Sequence, residues 1–419
     1  NDEWDSHYES DGGVPGVSLM DLLRRDSRLE KFCQIIEKTH GDTLLSSTQT
    51  YTVWAPRNEA LADVDMDDMD ALRRLVKNHI ARYTNPSSTS PEKKIYMLNN
   101  KIMSFKDSNR FMDASIEEKD MLAQNGVLHV LREQIPYQFN ILERMATDAN
   151  YSKVYDFITR WNQKNYDPGL STAYDSVFVD YNPMLESLGY GIGLLDNEDS
   201  LYTMIIPDNA AWDEAMARLQ PYFKPGSKLT GDALIAYQDS ASESRAGQAI
   251  LAGLTFPGVK FQNAQGEFVD PVTWDSLYTV DRHLLYKKDL QAYFNGYDLE
   301  KASNGYMYLA HGHLNMADTC TWNLPVKVEG ENSYYTIKDL ALSSAIRTTT
   351  DYSAVQGVSG NAYLEMSASN NNTGVTFKLP QVLAGKYEIW VDYVPPIIDG
   401  VAKKTRMQYC LLYTSDAAD

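Results

Sequence analysis

Hydrophobic positions along this chain follow two helical-then-strand rhythms and then a third of strict alternation. The first opens at Ser18-Leu-Met-Asp21, a capping-box pattern, and continues through Leu19, Leu22, Leu23, Leu29, Phe32, Ile35 and Ile36 at helical spacing. A dense β-rich run, Tyr51 to Leu61 (YTVWAPRNEAL), stops at Pro56, which suits a strand end or a helix start but not a strand interior. Leu72, Leu75, Val76, His79, Ile80 and Tyr83 then fall on one face of an expected helix. Asn125-Gly126 signals a turn into a strand, with Val127, His129 and Leu131 on one face and Leu128 and Val130 on the other. Both faces of that strand are expected to be covered.

The rhythm then repeats. Tyr202 to Trp212 (YTMIIPDNAAW) begins 151 positions after Tyr51, with the Tyr, Thr, Pro, Asn and Ala of the two runs in register. Asn304-Gly305 opens NGYMYLAHGHL as Asn125-Gly126 opens NGVLHVLREQIP. Ile141, Leu142, Met145, Val154, Phe157 and Ile158 reproduce the preceding helical stretch. Thr52, Pro56 and Asn58 thus have counterparts in the second copy, among them Pro207 and Asn209. Both asparagines stand where a side chain would cap a helix start.

These paired segments resemble the two signatures of the fasciclin-type domain, a "TVFAPTNEAF"-like run and an "NGVIHVID"-like run. His79 matches the histidine this family carries between them, and His129 lies within the second signature. The resemblance covers residues 17–137 well and 138–320 more loosely. The second copy departs from the pattern: Asn304 follows Tyr202 by 102 positions, against 74 between Tyr51 and Asn125, an excess of 28. Its stretch from Leu229 to His283 has no clear histidine motif, and residues 160–200, rich in Tyr, Asn, Asp and Gly, read as an elaborated loop region. The expected class is therefore α+β, two tandem fasciclin-type domains in which a β-wedge or sandwich packs with helices. The resemblance implies an adhesion or ligand-binding role without catalysis.

The third rhythm begins after Pro325. Ala362, Leu364 and Met366 alternate with Tyr363 and Glu365; Val375, Phe377 and Leu379, then Tyr387, Ile389, Val391 and Tyr393, keep the same period, with SNNNTG and LAGK as turns. This predicts a partial antiparallel β-sandwich, similar to jelly-roll modules, over 321–409. The last ten residues, 410–419, resemble translated sequencing-adapter read-through, and the sandwich is expected to be cut before its last strands. At the other end, Asp2, Glu3, Asp5, Glu9 and Asp11 make residues 1–16 an acidic linker. It resembles the start of a mature Bacteroidota-type lipoprotein, which implies an outer-membrane, surface-exposed location and attachment through an N-terminal lipid outside this chain.

Composition narrows the chemistry. Apolar residues at 43% and charged residues at 23% allow packed cores, and no apolar run approaches the roughly 18 residues of a membrane span. With 57 acidic against 38 basic residues, the net charge of −19 argues against nucleic acid as a partner. Cys33, Cys320 and Cys410 form neither a disulfide framework nor a metal spacing. No Gly-x-Ser-x-Gly elbow or phosphate loop is present, and Gly189-Tyr-Gly191-Ile-Gly193 lacks a flanking strand–helix pair. His79 and His129 read as hydrogen-bonded core residues. His311-Gly-His313 would put two imidazoles on one side of a strand with no third ligand, and the run Asp63, Asp65, Asp67, Asp68, Asp70 lacks the glycine and distal glutamate of a calcium loop. No catalytic residue, cofactor or metal is expected.

Tyrosine is the remaining signal, with 28 against 12 phenylalanines. Tyr166, Tyr174, Tyr181 and Tyr190 cluster in the 160–200 insert, as a sugar-stacking or protein-contacting surface would require; half-buried strand positions would attract tyrosine equally. The expected partner is an extracellular protein or glycan. Two roles fit: a surface adhesin, or a glycan-binding accessory of an outer-membrane polysaccharide uptake system.

Overall fold

The structure, a computed structural model, describes residues 16–410 apart from 88, 89, 91, 172–175, 317–324, 333–335, 338–345, 350–357, 367–373, 381 and 405. It divides into two compact units: Asn1–Ala149 with Leu194–Thr203 and Leu299–Met307, and Asn150–Gly193 with Met204–Asp298 and Tyr308–Asp419.

The first unit opens with helices α1 (Leu19–Arg25), α2 (Glu30–Lys38) and α3 (Asp42–Leu45), then strand β1 (Tyr51–Pro56), helix α4 (Met69–Asn78) and strands β2 (Ile80–Arg82), β3 (Ile95–Tyr96), β4 (Ile102–Met103), β5 (Phe105–Asp107), β6 (Arg110–Phe111), β7 (Ala114–Ala123) and β8 (Gly126–Leu131). The capping box forms: Asp21 N donates to Ser18 Oγ at 3.1 Å and Ser18 N to Asp21 Oδ2 at 3.0 Å. The six-stranded sheet runs β2-β1-β8-β7-β6-β5, with β1 and β8 parallel at its centre. Both faces are covered, as the alternation predicts. Val53, Ala55, Leu128 and Val130 pack with Phe32, Ile35 and Ile36 of α2, while Trp54 and Leu131 pack with Phe105 and Phe111. Burying each such side chain stabilises by roughly 1.5–3 kcal/mol.

The helix expected from Leu72 to Tyr83 is shorter. It ends at Asn78, His79 is its C-cap, and Ile80 pairs with Val53 as the start of β2. Tyr83 is 74% exposed at a positive φ of 67°. Strand pairing has displaced the last helical turn, and β-branched Ile80 suits the strand.

Helix α5 (Ile141–Ala146) ends the unit's main segment. The chain continues through α6 (Ser152–Thr159), β9 (Gln163–Tyr166), β10 (Phe178–Tyr181), β11 (Tyr202–Pro207), α7 (Asn209–Leu219), α8 (Gly231–Leu254), β12 (Thr255–Pro257), β13 (Ser276–Tyr278), β14 (Leu284–Tyr286), α9 (Lys287–Phe294), β15 (Asp298–Ala302) and β16 (Gly305–Ala310). A four-stranded sheet follows the order β12-β11-β16-β15. In the second unit α8 lies so close to α6 that a Cβ on Gly247 would stand 2.3 Å from the Phe157 ring. Phe256, Phe261, Tyr293, Phe294 and Tyr308 form a ring cluster beside it, with neighbouring centroids 4.9–6.0 Å apart.

The region beyond Pro325 yields short pairs: β17 (Thr336–Ile337) with β20 (Thr376–Phe377), β18 (Ile346–Thr349) with β19 (Tyr363–Met366), and β21 (Ile397–Ile398) with β22 (Val401–Ala402). The strand expected around Tyr363 is present as β19. Tyr387 to Tyr393 form no strand, and Trp390 is 84% exposed, because no described segment pairs with them and an unpaired strand is not stable alone. The acidic opening, Cys320 and the SNNNTG turn lie wholly or largely outside the described residues.

Candidate functional site

The signature residues are structural. Asn125 Oδ1 accepts from Leu19 N at 2.8 Å, and its Nδ2 donates to Leu45 O and Ser47 O. Asn304 repeats this with Ile141 N at 3.0 Å, Leu195 O and Asn197 O. Gly126 and Gly305 hold φ of +147° and +146°, where a Cβ would fall 1.8 Å from Tyr51 O and 1.6 Å from Tyr202 O. Pro56 and Pro207 end β1 and β11. Thr52 Oγ donates to Tyr83 O at 2.7 Å and accepts from Asn85 N at 2.8 Å.

Asn58 and Asn209 correct an expectation. Neither caps the helix that follows it; Asp208 caps α7. Asn58 Oδ1 instead accepts from Lys31 N of α2, and Asn209 Oδ1 from Lys153 N of α6, both at 2.9 Å. Each asparagine satisfies an orphan donor of an earlier helix, brought near by the tertiary packing.

His79 and His129 are both engaged by backbone groups. The Leu75 carbonyl, 2.8 Å from His79 Nδ1, can only accept, so Nδ1 carries the proton; Ile135 N donates to Nε2 at 2.9 Å. Burial holds the His79 pKa down to about 4. His129 takes the other tautomer, its Nε2 donating to Asn85 O at 3.0 Å and its Nδ1 accepting from Asp120 N at 3.2 Å, and burial lowers its pKa too. His311 and His313 do not share a strand: β16 ends at Ala310, and the exposed imidazoles turn to different carboxylates, Asp298 at 2.9 Å and Glu214 at 3.4 Å. Among the described residues no group of three or more His, Cys, Asp or Glu is placed to hold a metal.

A buried ionic cluster in the first unit has no signal in the sequence. Lys101 Nζ sits 2.7 Å from Glu198 Oε1, 3.1 Å from Glu143 Oε1 and 3.1 Å from Ser303 Oγ, and Ser303 donates to Glu198 Oε2 at 2.7 Å. Asn140 Nδ2 and the Tyr137 hydroxyl supply further bonds to Glu198 and Glu143. The lysine's three protons are all used, which makes the cluster structural.

The 160–200 insert carries exposed aromatic and aliphatic side chains. β9 and β10 form an antiparallel ribbon in which Tyr166 faces Phe178, ring centroids 5.8 Å apart, with the two residues 53% and 56% exposed. Leu170 and Tyr190 are also exposed. The base is braced: Asn182 Nδ2 donates to Ile158 O of α6 at 2.9 Å and to Asn162 Oδ1 at 2.7 Å. At the tip Asp167 Oδ1 accepts from Gly169 N and Leu170 N. The ribbon thus presents two rings to solvent. Tyr181, at the end of β10, is half-buried, and Tyr174 lies outside the described residues. Phe178 completes the pair but adds nothing to a tyrosine excess, so composition does not point to it. Many other tyrosines, including Tyr51, Tyr151 and Tyr293, fill the cores.

No described helix is long and apolar enough to cross a membrane. No curated protein matches the chain. Among solved structures, the FAS1 domain pair of the insect cell adhesion molecule fasciclin I aligns with 70% of this chain and 98% of its own, at 15% identity and a TM-score of 0.25. Residues 27–135, which contain α2 to β8, match the family model of the Fasciclin domain.

Proposed function

We propose that the chain is a non-catalytic surface adhesion or ligand-binding protein with two fasciclin-type copies, 17–137 and 138–320, whose contact surface is the β9–β10 ribbon. The observation that carries this reading is the exposed Tyr166–Phe178 pair on a braced insert. The two-copy reading is supported by the repeated roles of Asn125 and Asn304, Gly126 and Gly305, and Asn58 and Asn209. The partner is an extracellular protein or glycan, and attachment is through an N-terminal lipid at the outer membrane. Stacked aromatic faces also suit sugar rings, which supports the second role, a glycan-binding accessory of a polysaccharide uptake system. Immobilised matrix proteins and glycans should retain the purified chain, and Y166A/F178A should lose that retention while staying folded. Equal retention of both proteins would remove the ribbon from the contact.

A further inference from the structure

The first unit also contains an open, solvent-facing cavity of about 470 Å³, lined by Asp70, Arg73, Arg74 and Lys77 of α4, by Leu98, Asn99 and Asn100, and by Tyr137. The charge is the unusual part: three cations on adjoining positions of one helix, in a chain of net charge −19. Like charges at i and i+4, here Arg73 and Lys77, weaken a helix unless something neutralises them. Arg73 meets Asp70 at 3.3 Å. Among the described residues no carboxylate lies within ion-pair distance of Arg74 or Lys77.

The surroundings hold this charge ready. Asp70 in the lining is paired with Arg73, Glu143 and Glu198 are committed to Lys101, and Glu143 also accepts from the Tyr137 hydroxyl at 2.6 Å. The Tyr137 ring therefore keeps its position, with Arg74 5.9 Å from its centroid. Asn99 is occupied by Asn78 and by Lys101 N, but the Asn100 side chain, exposed at a φ of 64°, has no hydrogen-bond partner among the described residues. The cavity offers a guanidinium fork, an ammonium, a free amide and, at Leu98, an aliphatic surface.

We infer that this cavity binds a compact, hydroxyl-bearing anion, a uronate- or sulfate-carrying sugar, with Arg74 and Lys77 on the acidic group and Asn100 on a hydroxyl. A planar carboxylate matches the arginine fork, and Leu98 can meet the apolar edge of a sugar ring, the Tyr137 ring being covered by Arg74 and Lys101. Compactness follows from the net charge: a long polyanion would feel repulsion over the whole surface, whereas a small ligand feels chiefly the field within about one Debye length, ~8 Å at physiological salt.

The test is calorimetric titration of the full chain with digalacturonate, a sulfated disaccharide and neutral maltose. One or both acidic sugars should bind, with affinity falling as salt rises, and maltose should not; the stronger of the two identifies the acid group. R74Q/K77Q should weaken binding at least about tenfold, the worth of one charge-assisted hydrogen bond, and N100A should weaken it less. All three positions are exposed, so circular dichroism should be unchanged. Absence of binding by both acidic sugars, equal binding of maltose, or an equal loss in K93Q/K94Q, which removes two exposed cations elsewhere, would each overturn the inference. Y166A/F178A should leave this titration unaltered, so the cavity and the ribbon stand or fall separately.

Discussion

The ammonium of Lys101 lies 2.7 Å from the carboxylate of Glu198, with 3% of the lysine side chain and 8% of the glutamate exposed. A buried pair of this kind adds little over a well-packed apolar pair, yet is costly to break by halves. K101M should therefore destabilise the first unit by about 3–5 kcal/mol in urea unfolding, because it strands Glu198 and Glu143. K106M, which removes the exposed partner of Asp113, should cost no more than about 1 kcal/mol. Equal costs would show that the buried network contributes nothing particular.

His79 makes stability depend on pH. The unfolded chain protonates this imidazole near its ordinary 6.5, the folded chain only near 4. Between those values the unfolded state binds more protons, so stability falls as pH falls and is largely retained above 6.5. The loss on reaching pH 4 is about 3 kcal/mol from His79, with a further contribution of the same sign from His129. Denaturation midpoints at pH 7, 5.5 and 4.5 measure it. In H79Q the slope should shrink; an unchanged slope would mean that the imidazole titrates normally when folded.

Gly126 cannot take a side chain. A Cβ there would meet the Tyr51 carbonyl oxygen at 1.8 Å, and that oxygen belongs to the central parallel pair. G126A should cost at least about 2 kcal/mol, from positive φ and the forced separation of β1 and β8. G305A should behave alike. G169A, in an exposed turn with 3.2 Å to the nearest side-chain atom, should stay within about 0.5 kcal/mol of the parent. Thermal unfolding of the three variants distinguishes the outcomes.

The Tyr166–Phe178 pair should matter for contact and little for folding. Both rings are about half exposed, so Y166A/F178A should change stability by no more than about 1 kcal/mol, the scale of a cross-strand aromatic pair. A loss of several kcal/mol would mark the ribbon as part of the second unit's core.

Features carried by neighbouring residues are legible in the order of amino acids alone. The Ser18–Asp21 capping box, the strand ending at Pro56, the Asn125-Gly126 turn and the two covered faces of β8 all follow from spacing and from the conformations these residues favour. His79 and His129 are recognisable as core residues because they stand among apolar positions, although their opposite tautomers depend on which backbone groups reach them.

Each feature that departs from its sequence pattern depends on a distant partner. The helix expected to reach Tyr83 stops at Asn78 because β1 offers Ile80 a strand to pair with, and Tyr387 to Tyr393 stay open because no described segment offers one. Asn58 and Asn209 bond to helices 27 and 56 positions earlier. The paired glutamate of Lys101 is 97 positions away, and the phenylalanine that completes the Tyr166 pair lies across a turn. Periodicities, caps and repeated signatures belong to the chain's local order, since they are energies of adjacent residues. Where helices yield to strands, which charges are buried in pairs and which are left to line a cavity belong to the fold, because those energies depend on groups that folding alone brings within reach.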